Sequence, residues 1–311
     1  MPRLHAAAAH PMTTLPAPHA LADATLEDGA VIRLRQHGNR ARPRVVLSHG
    51  NGFAIDGYFP FWRRLIQDFE VVVFDQRDHG QNPRHVEAHH TYPQIARDAA
   101  PIRAAIDRHF GAKPSAGIFH SLSAVANIHG DGEHGVRWDA LVLVDPALNA
   151  PDGKAREAGN RFEHVLAKWA RARPERFADP SELAAQFRAS RAAALWLPET
   201  ADLMARAVTR PAPAGGYELC CPGAWEAEVY LQNIQMGTWT LLPRIATPHL
   251  FLLADPDLPG ATPACKIALE AAATFGLNQA TVPGTSHMLQ VERPDLCVAT
   301  IRGFFAKIGF G

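Results

Sequence analysis

The segments Glu70–Phe74 (Glu-Val-Val-Val-Phe) and Ala140–Val144 (Ala-Leu-Val-Leu-Val) are apolar at nearly every position, with no polar face. A strand of that kind must be covered on both sides, so it belongs inside a layered sheet and not on a half-wet one. Similar short runs stand at 45–47, 116–119, His249–Leu253 and 280–282. Stretches with helical period separate them: 56–68, Tyr92–Phe110, 121–129, 264–275 and 291–308. Strands alternating with helices of this length predict an α/β fold, a mostly parallel sheet with helices on both faces. A hairpin is predicted at the start, where Glu27-Asp28-Gly29 divides two short apolar runs.

From about residue 151 to 235 the alternation stops. The segment reads as helices only: one over 156–173, one opened by Asp179-Pro180-Ser181-Glu182, and others after Pro198 and Pro222. The expected organisation is a tail over 1–20, a core over 21–150 and 236–311, and a helical insertion over 151–235. The tail, rich in Ala, Pro and His, is expected to be disordered.

Charge removes several classes of partner. Lys plus Arg and Asp plus Glu are each 31, for a net charge of 0. Nucleic acid and anionic membranes call for a basic surface, so neither is expected as a partner. No apolar run reaches the roughly 20 residues of a membrane-spanning helix. The four Cys, two of them adjacent, read as reduced thiols, and a cytoplasmic protein with a small-molecule substrate is expected.

The segment Gly117-Ile118-Phe119-His120-Ser121-Leu122-Ser123-Ala124 carries the chemistry. A strand delivers Ser121 into a tight turn and a helix begins at once. Such a turn exposes a hydroxyl at a helix N-terminus, which favours negative charge. The segment resembles the nucleophile elbow of the α/β-hydrolase fold superfamily, Gly-x-Ser-x-Gly, with Phe119 and Ser123 at the flanking positions. The resemblance runs from about residue 24 to the C-terminus and places the helical insertion where that family carries a cap.

The resemblance implies a serine hydrolase acting on a small or medium carboxylic ester or related acyl compound through an acyl-enzyme. Ser121 is the implied nucleophile, and His287, in Pro283-Gly284-Thr285-Ser286-His287-Met288, the implied base. Asp257, in Ala254-Asp255-Pro256-Asp257, is the implied acid, with Asp145 and Asp255 as alternatives. Ser48-His49-Gly50-Asn51-Gly52-Phe53 resembles the family's oxyanion loop, which implies donors at the amides of Asn51 and Leu122. Asp75-Gln76-Arg77-Asp78-His79-Gly80 resembles a structural turn of the family, with Asp78 where Gly is usual and tolerable there because Asp adopts left-handed backbone.

The same triad serves acyl transfer and carbon–carbon bond hydrolysis, and a catalytically inactive binding protein of this fold is an alternative from another class. Ser at 121 disfavours the Asp-nucleophile chemistry of dehalogenases and epoxide hydrolases. In the cap, Trp169, Trp196, Tyr217, Trp225 and Tyr230 suit either a pocket wall or the cap's own core. Arg156, Arg161, Arg171 and Arg173 read as a solvated helix face. The stretch His129-Gly130-Asp131-Gly132-Glu133-His134-Gly135 matches no metal motif and reads as a solvated loop, and His89-His90 as a surface pair. No cofactor and no metal are expected.

Overall fold

The computed structural model describes residues 14–311. The tail expected over 1–20 lies largely outside the described residues. Its last part is ordered: Leu15 packs on the core, and the His19 amide donates to the Gln36 carbonyl at 2.7 Å.

Eight strands form one sheet: β1 (Ala20–Thr25), β2 (Val31–Gly38), β3 (Arg44–Ser48), β4 (Glu70–Phe74), β5 (Ser115–His120), β6 (Ala140–Val144), β10 (His249–Leu253) and β11 (Gln279–Thr281). Their order is β1-β2-β4-β3-β5-β6-β10-β11. The β1–β2 hairpin turns at Asp28-Gly29, and β2 meets β4 antiparallel. All other neighbours are parallel.

The two-faced burial read from the apolar runs holds residue by residue. Val71, Val73, Ala140, Val142 and Val144 enter one core layer, with Tyr58, Trp62, Ile301 and Phe305. Val72, Leu141 and Leu143 enter the other, with Ile95, Ile102, Val125 and Ile267. The first layer is closed by a short helix α1 (Phe59–Trp62) and by α10 (Pro294–Ile308). The second is closed by α2 (Tyr92–Phe110), α3 (Leu122–Gly132) and α8 (Pro263–Phe275).

Tertiary contacts override the expected helix over 56–68. Residues Ile55–Tyr58 form a 3-10 turn, α1 adds four residues, and turns follow. The Trp62 indole donates back to the Ile55 carbonyl at 3.1 Å. A Cβ on Gly57 would lie 2.4 Å from the Met204 side chain, so this glycine allows the insertion to sit directly on the turn. The expected closing helix over 291–308 is likewise two: α9 (Leu289–Glu292) and α10, divided at Arg293. Pro294 forces the preceding residue out of the helical region, and Arg293 sits at φ −134°, ψ 58°.

The insertion contains α4 (Gly153–Ala172), α5 (Pro180–Ala189), α6 (Thr200–Val208) and α7 (Gly223–Asn233). It is not purely helical. Three very short strands, β7 (Arg176–Phe177), β8 (Thr209–Pro211) and β9 (Tyr217–Leu219), form a small antiparallel sheet. Runs of two or three residues leave too little periodicity to be read from sequence. Among the described residues, no helix is long and apolar enough to cross a membrane.

Candidate active site

At the C-terminal end of β5 the backbone reverses at Ser121, with φ 51° and ψ −109°, and α3 starts at the next residue. Left-handed backbone at a residue with a side chain costs on the order of 1–3 kcal/mol and persists only where the surroundings enforce it. Here the Ser121 amide donates to the Val144 carbonyl at 2.9 Å. The Ser123 hydroxyl bridges both polar groups of the His120 backbone, each at 2.9 Å, so it is fully engaged.

Phe119 departs from the glycine of the Gly-x-Ser-x-Gly pattern, and Gly117 accommodates it. These residues share a strand face. The Phe119 ring turns onto Gly117, where an added Cβ would lie 2.3 Å from Cε2, and it contacts Phe74 and Trp138. Gly117→Ala is expected to destabilise the fold by about 1–3 kcal/mol, because the packed ring has to move. Urea unfolding followed by tryptophan fluorescence measures this.

His287 follows the last strand. Its Nδ1 lies 2.6 Å from Oδ2 of Asp145, a fully buried residue just past β6. Asp145 is itself fixed: its amide donates to the Leu252 carbonyl at 2.9 Å, and its Oδ1 accepts from the Ala254 amide at 3.2 Å. The expected partner Asp257 is exposed, and its amide donates to Asp255 Oδ1 at 3.0 Å. Asp255 accepts from the Gly284 amide at 2.8 Å and so braces the histidine loop from below. The carboxylate facing the imidazole is therefore that of Asp145. The family resemblance implied Asp257, but the turn spends Asp255 on the loop and leaves Asp257 in solvent.

His120, just before Ser121, ties these loops together in a way the sequence did not signal. Its Nε2 donates to the His287 carbonyl at 2.9 Å, and its Nδ1 accepts from the Tyr58 hydroxyl at 2.8 Å. Complete burial, with His287 alongside, holds it well below the usual histidine range. It is a neutral strut between the elbow and the histidine loop.

The Asn51 loop follows β3. A Cβ on Gly50 would lie 3.1 Å from Ser121 Cβ, so the loop crosses directly against the elbow. Gly52 has φ 72°, which few side-chain-bearing residues tolerate. The Asn51 side-chain amide donates to the Glu226 carbonyl at 2.9 Å, and the Tyr230 hydroxyl donates to the Asn51 carbonyl at 3.4 Å. The Leu122 amide stands in the first turn of α3, where a helix supplies no acceptor of its own.

The insertion touches this region through α4 and α7. Asn233 donates to the Ala147 carbonyl at 2.9 Å and to Glu163 at 2.7 Å. Of the expected aromatics, Tyr230 reaches Asn51 and Trp196 packs on Phe53, 6.1 Å between centroids. Trp225 lies beside His90, Tyr217 packs on the core, and Trp169 is 62% exposed.

Burial pushes Glu163 up to about 7, against the opposing effects of its bond to Asn233 and of nearby His287. In the unfolded chain the same carboxyl titrates near 4.5. Between those values the native chain holds a proton that the unfolded chain has lost, so stability falls as pH rises through the window. Glu163→Gln removes that loss. It is expected to stabilise the protein above pH 7 by roughly 1–3 kcal/mol and to leave it unchanged below about pH 4.5. Thermal unfolding across that range checks both limbs.

Three other expectations change. Residues 129–132 extend α3, with His129 and Asp131 buried, and Asp131 accepts from the Ala246 amide at 2.8 Å. His89 is exposed but His90 is buried against Asp78 at 2.8 Å. Arg173 leaves the solvated face of α4 to pair with Glu226. The Asp75 turn keeps the expected form, with Asp78 at φ 63°.

A sequence model of the alpha/beta hydrolase family matches residues 45–300, and the chain belongs to that family. Its fold is that of E-2-(acetamidomethylene)succinate hydrolase, at 17% identity and TM-score 0.75 over 92% of this chain and 100% of the other. The thioesterase domain from the curacin biosynthetic pathway has 19% identity and TM-score 0.70, over 92% and 100%. A thermophilic esterase from Thermogutta terrifontis has 17% identity and TM-score 0.66, over 93% and 99%. No curated protein sequence matches.

Proposed function

We propose that the protein is a serine hydrolase that cleaves a small or medium carboxylic ester, or a related acyl compound, through an acyl-enzyme. The observation that carries this reading is the strained Ser121 turn, whose preceding residue His120 lies 4.7 Å between ring centroids from His287, a histidine whose Nδ1 is held by a buried carboxylate. Ser121 attacks the acyl carbonyl. His287 takes the hydroxyl proton on Nε2, because Asp145 keeps the other proton on Nδ1. The amides of Asn51 and Leu122 hold the oxyanion. His287 returns the proton to the leaving group, and water, activated by the same imidazole, releases the acid. The insertion is the cap over this site. The names of the structural neighbours, a hydrolase, a thioesterase and an esterase, support acyl chemistry. Four buried, unpaired cysteines suit a reducing cytoplasm.

Fluorophosphonate labelling with peptide mapping tests the proposal, alongside turnover of short p-nitrophenyl esters. An adduct on Ser121 is expected, and none on Ser123, whose hydroxyl is engaged. A folded protein that neither labels nor turns over any ester would refute it.

A further inference from the structure

Outside the proposed triad, three buried side chains converge where the insertion meets the core. His79 lies in the Asp75 turn, His90 precedes α2, and Cys221 precedes α7. One ligand atom from each lies within 4.8 Å of the others, and the Cys221 sulfur is 3.7 Å from His90 Nε2. A tetrahedral zinc site with Zn–S near 2.3 Å and Zn–N near 2.0–2.1 Å has an S···N edge of about 3.6 Å.

Both imidazoles are prepared from behind. His79 Nδ1 donates to the Arg77 carbonyl at 2.8 Å, and His90 Nδ1 faces Asp78 Oδ2 at 2.8 Å. Each bond leaves Nε2 as the lone-pair nitrogen, and a carboxylate behind a ligating histidine raises its basicity. A small cavity, wide enough to admit a water, is lined by Gly52, His79, Arg173 and Cys221 among others. The charges balance: Asp78 and a Cys221 thiolate offset a divalent cation, while Arg173 is already paired with Glu226.

We propose that His79, His90 and Cys221 bind zinc(II), fastening the insertion to the turn beneath it. Binding forms two Zn–N bonds and one Zn–S bond and releases the thiol proton to solvent, with a water as fourth ligand in the cavity. The Gly52 amide, which donates to His79 Nε2 at 3.3 Å, gives up that long bond to the metal. Nitrogen and sulfur donors select zinc over magnesium or calcium. The second cluster, Asp28, His85 and His89, is partly exposed, and Asp28 is committed to Arg77 at 2.9 Å.

The test uses the full chain without an affinity tag. One zinc per chain is expected to survive gel filtration, and the cobalt(II) adduct to show a thiolate-to-cobalt charge-transfer band. Cys221→Ser and His90→Gln should each abolish the band with a native circular dichroism spectrum. Asp78→Asn should weaken zinc binding about 10–100-fold, and His89→Ala should change nothing. Two results would overturn the site: a natively folded wild type that retains no zinc and gives no band, or a band that persists in either ligand variant. Should one ligand variant fail to fold, the other and Asp78→Asn decide.

Discussion

Asp145→Asn is expected to lower kcat for ester turnover by about 10⁴-fold, the scale found when a triad carboxylate becomes an amide. The cause lies in the tautomer. As a carboxylate, Asp145 accepts from His287 Nδ1 at 2.6 Å and leaves Nε2 free to take a proton. An amide presenting N–H to Nδ1 moves the ring proton to Nε2, and the imidazole can then no longer serve as the proposed base for Ser121. Asp257→Asn is the control. Its side chain is exposed and away from the imidazole, so kcat should match wild type. The opposite ranking of the two variants would return the acid role to Asp257. Since Asp145 also accepts from the Ala254 amide, thermal unfolding of both variants must accompany the kinetics.

Which of these features sequence reveals follows from the range of the forces involved. The sheet was legible because β4 and β6 are buried on both faces, a condition written into every residue of the strand. The elbow was legible too, since a strand, a turn and a helix start are local events. The acid was not. Asp145, Asp255 and Asp257 all follow strands, and which one faces His287 depends on loops from three parts of the chain. Gly117 was visible two residues before Phe119, and the period of a strand ties the two. His90 was misread because a histidine pair carries no periodicity, and its burial comes from Asp78 and Cys221, the latter 131 positions away.

Substitutions at Ser121, the proposed nucleophile, are expected to separate catalysis from stability. Ser121→Ala should abolish fluorophosphonate labelling and lower kcat by about 10⁵–10⁶-fold, since removal of a triad nucleophile costs nearly as much as removal of the whole triad. Ser121→Gly should be equally inactive, yet the two variants should differ in stability. The φ of 51° strains any residue that has a Cβ, and alanine keeps that strain. Glycine relieves it, while the greater freedom of its unfolded chain takes back about 0.4–1 kcal/mol. The net expectation is a Ser121→Gly protein more stable than Ser121→Ala by about 1 kcal/mol, read from paired denaturant unfolding curves. Equal stability would limit the strain to the roughly 0.4–1 kcal/mol that glycine's unfolded chain takes back, and a Ser121→Gly protein less stable than Ser121→Ala by that amount would mean the turn is unstrained. A more stable but inactive glycine variant would show that this position is tuned for a reactive hydroxyl at a cost to the fold.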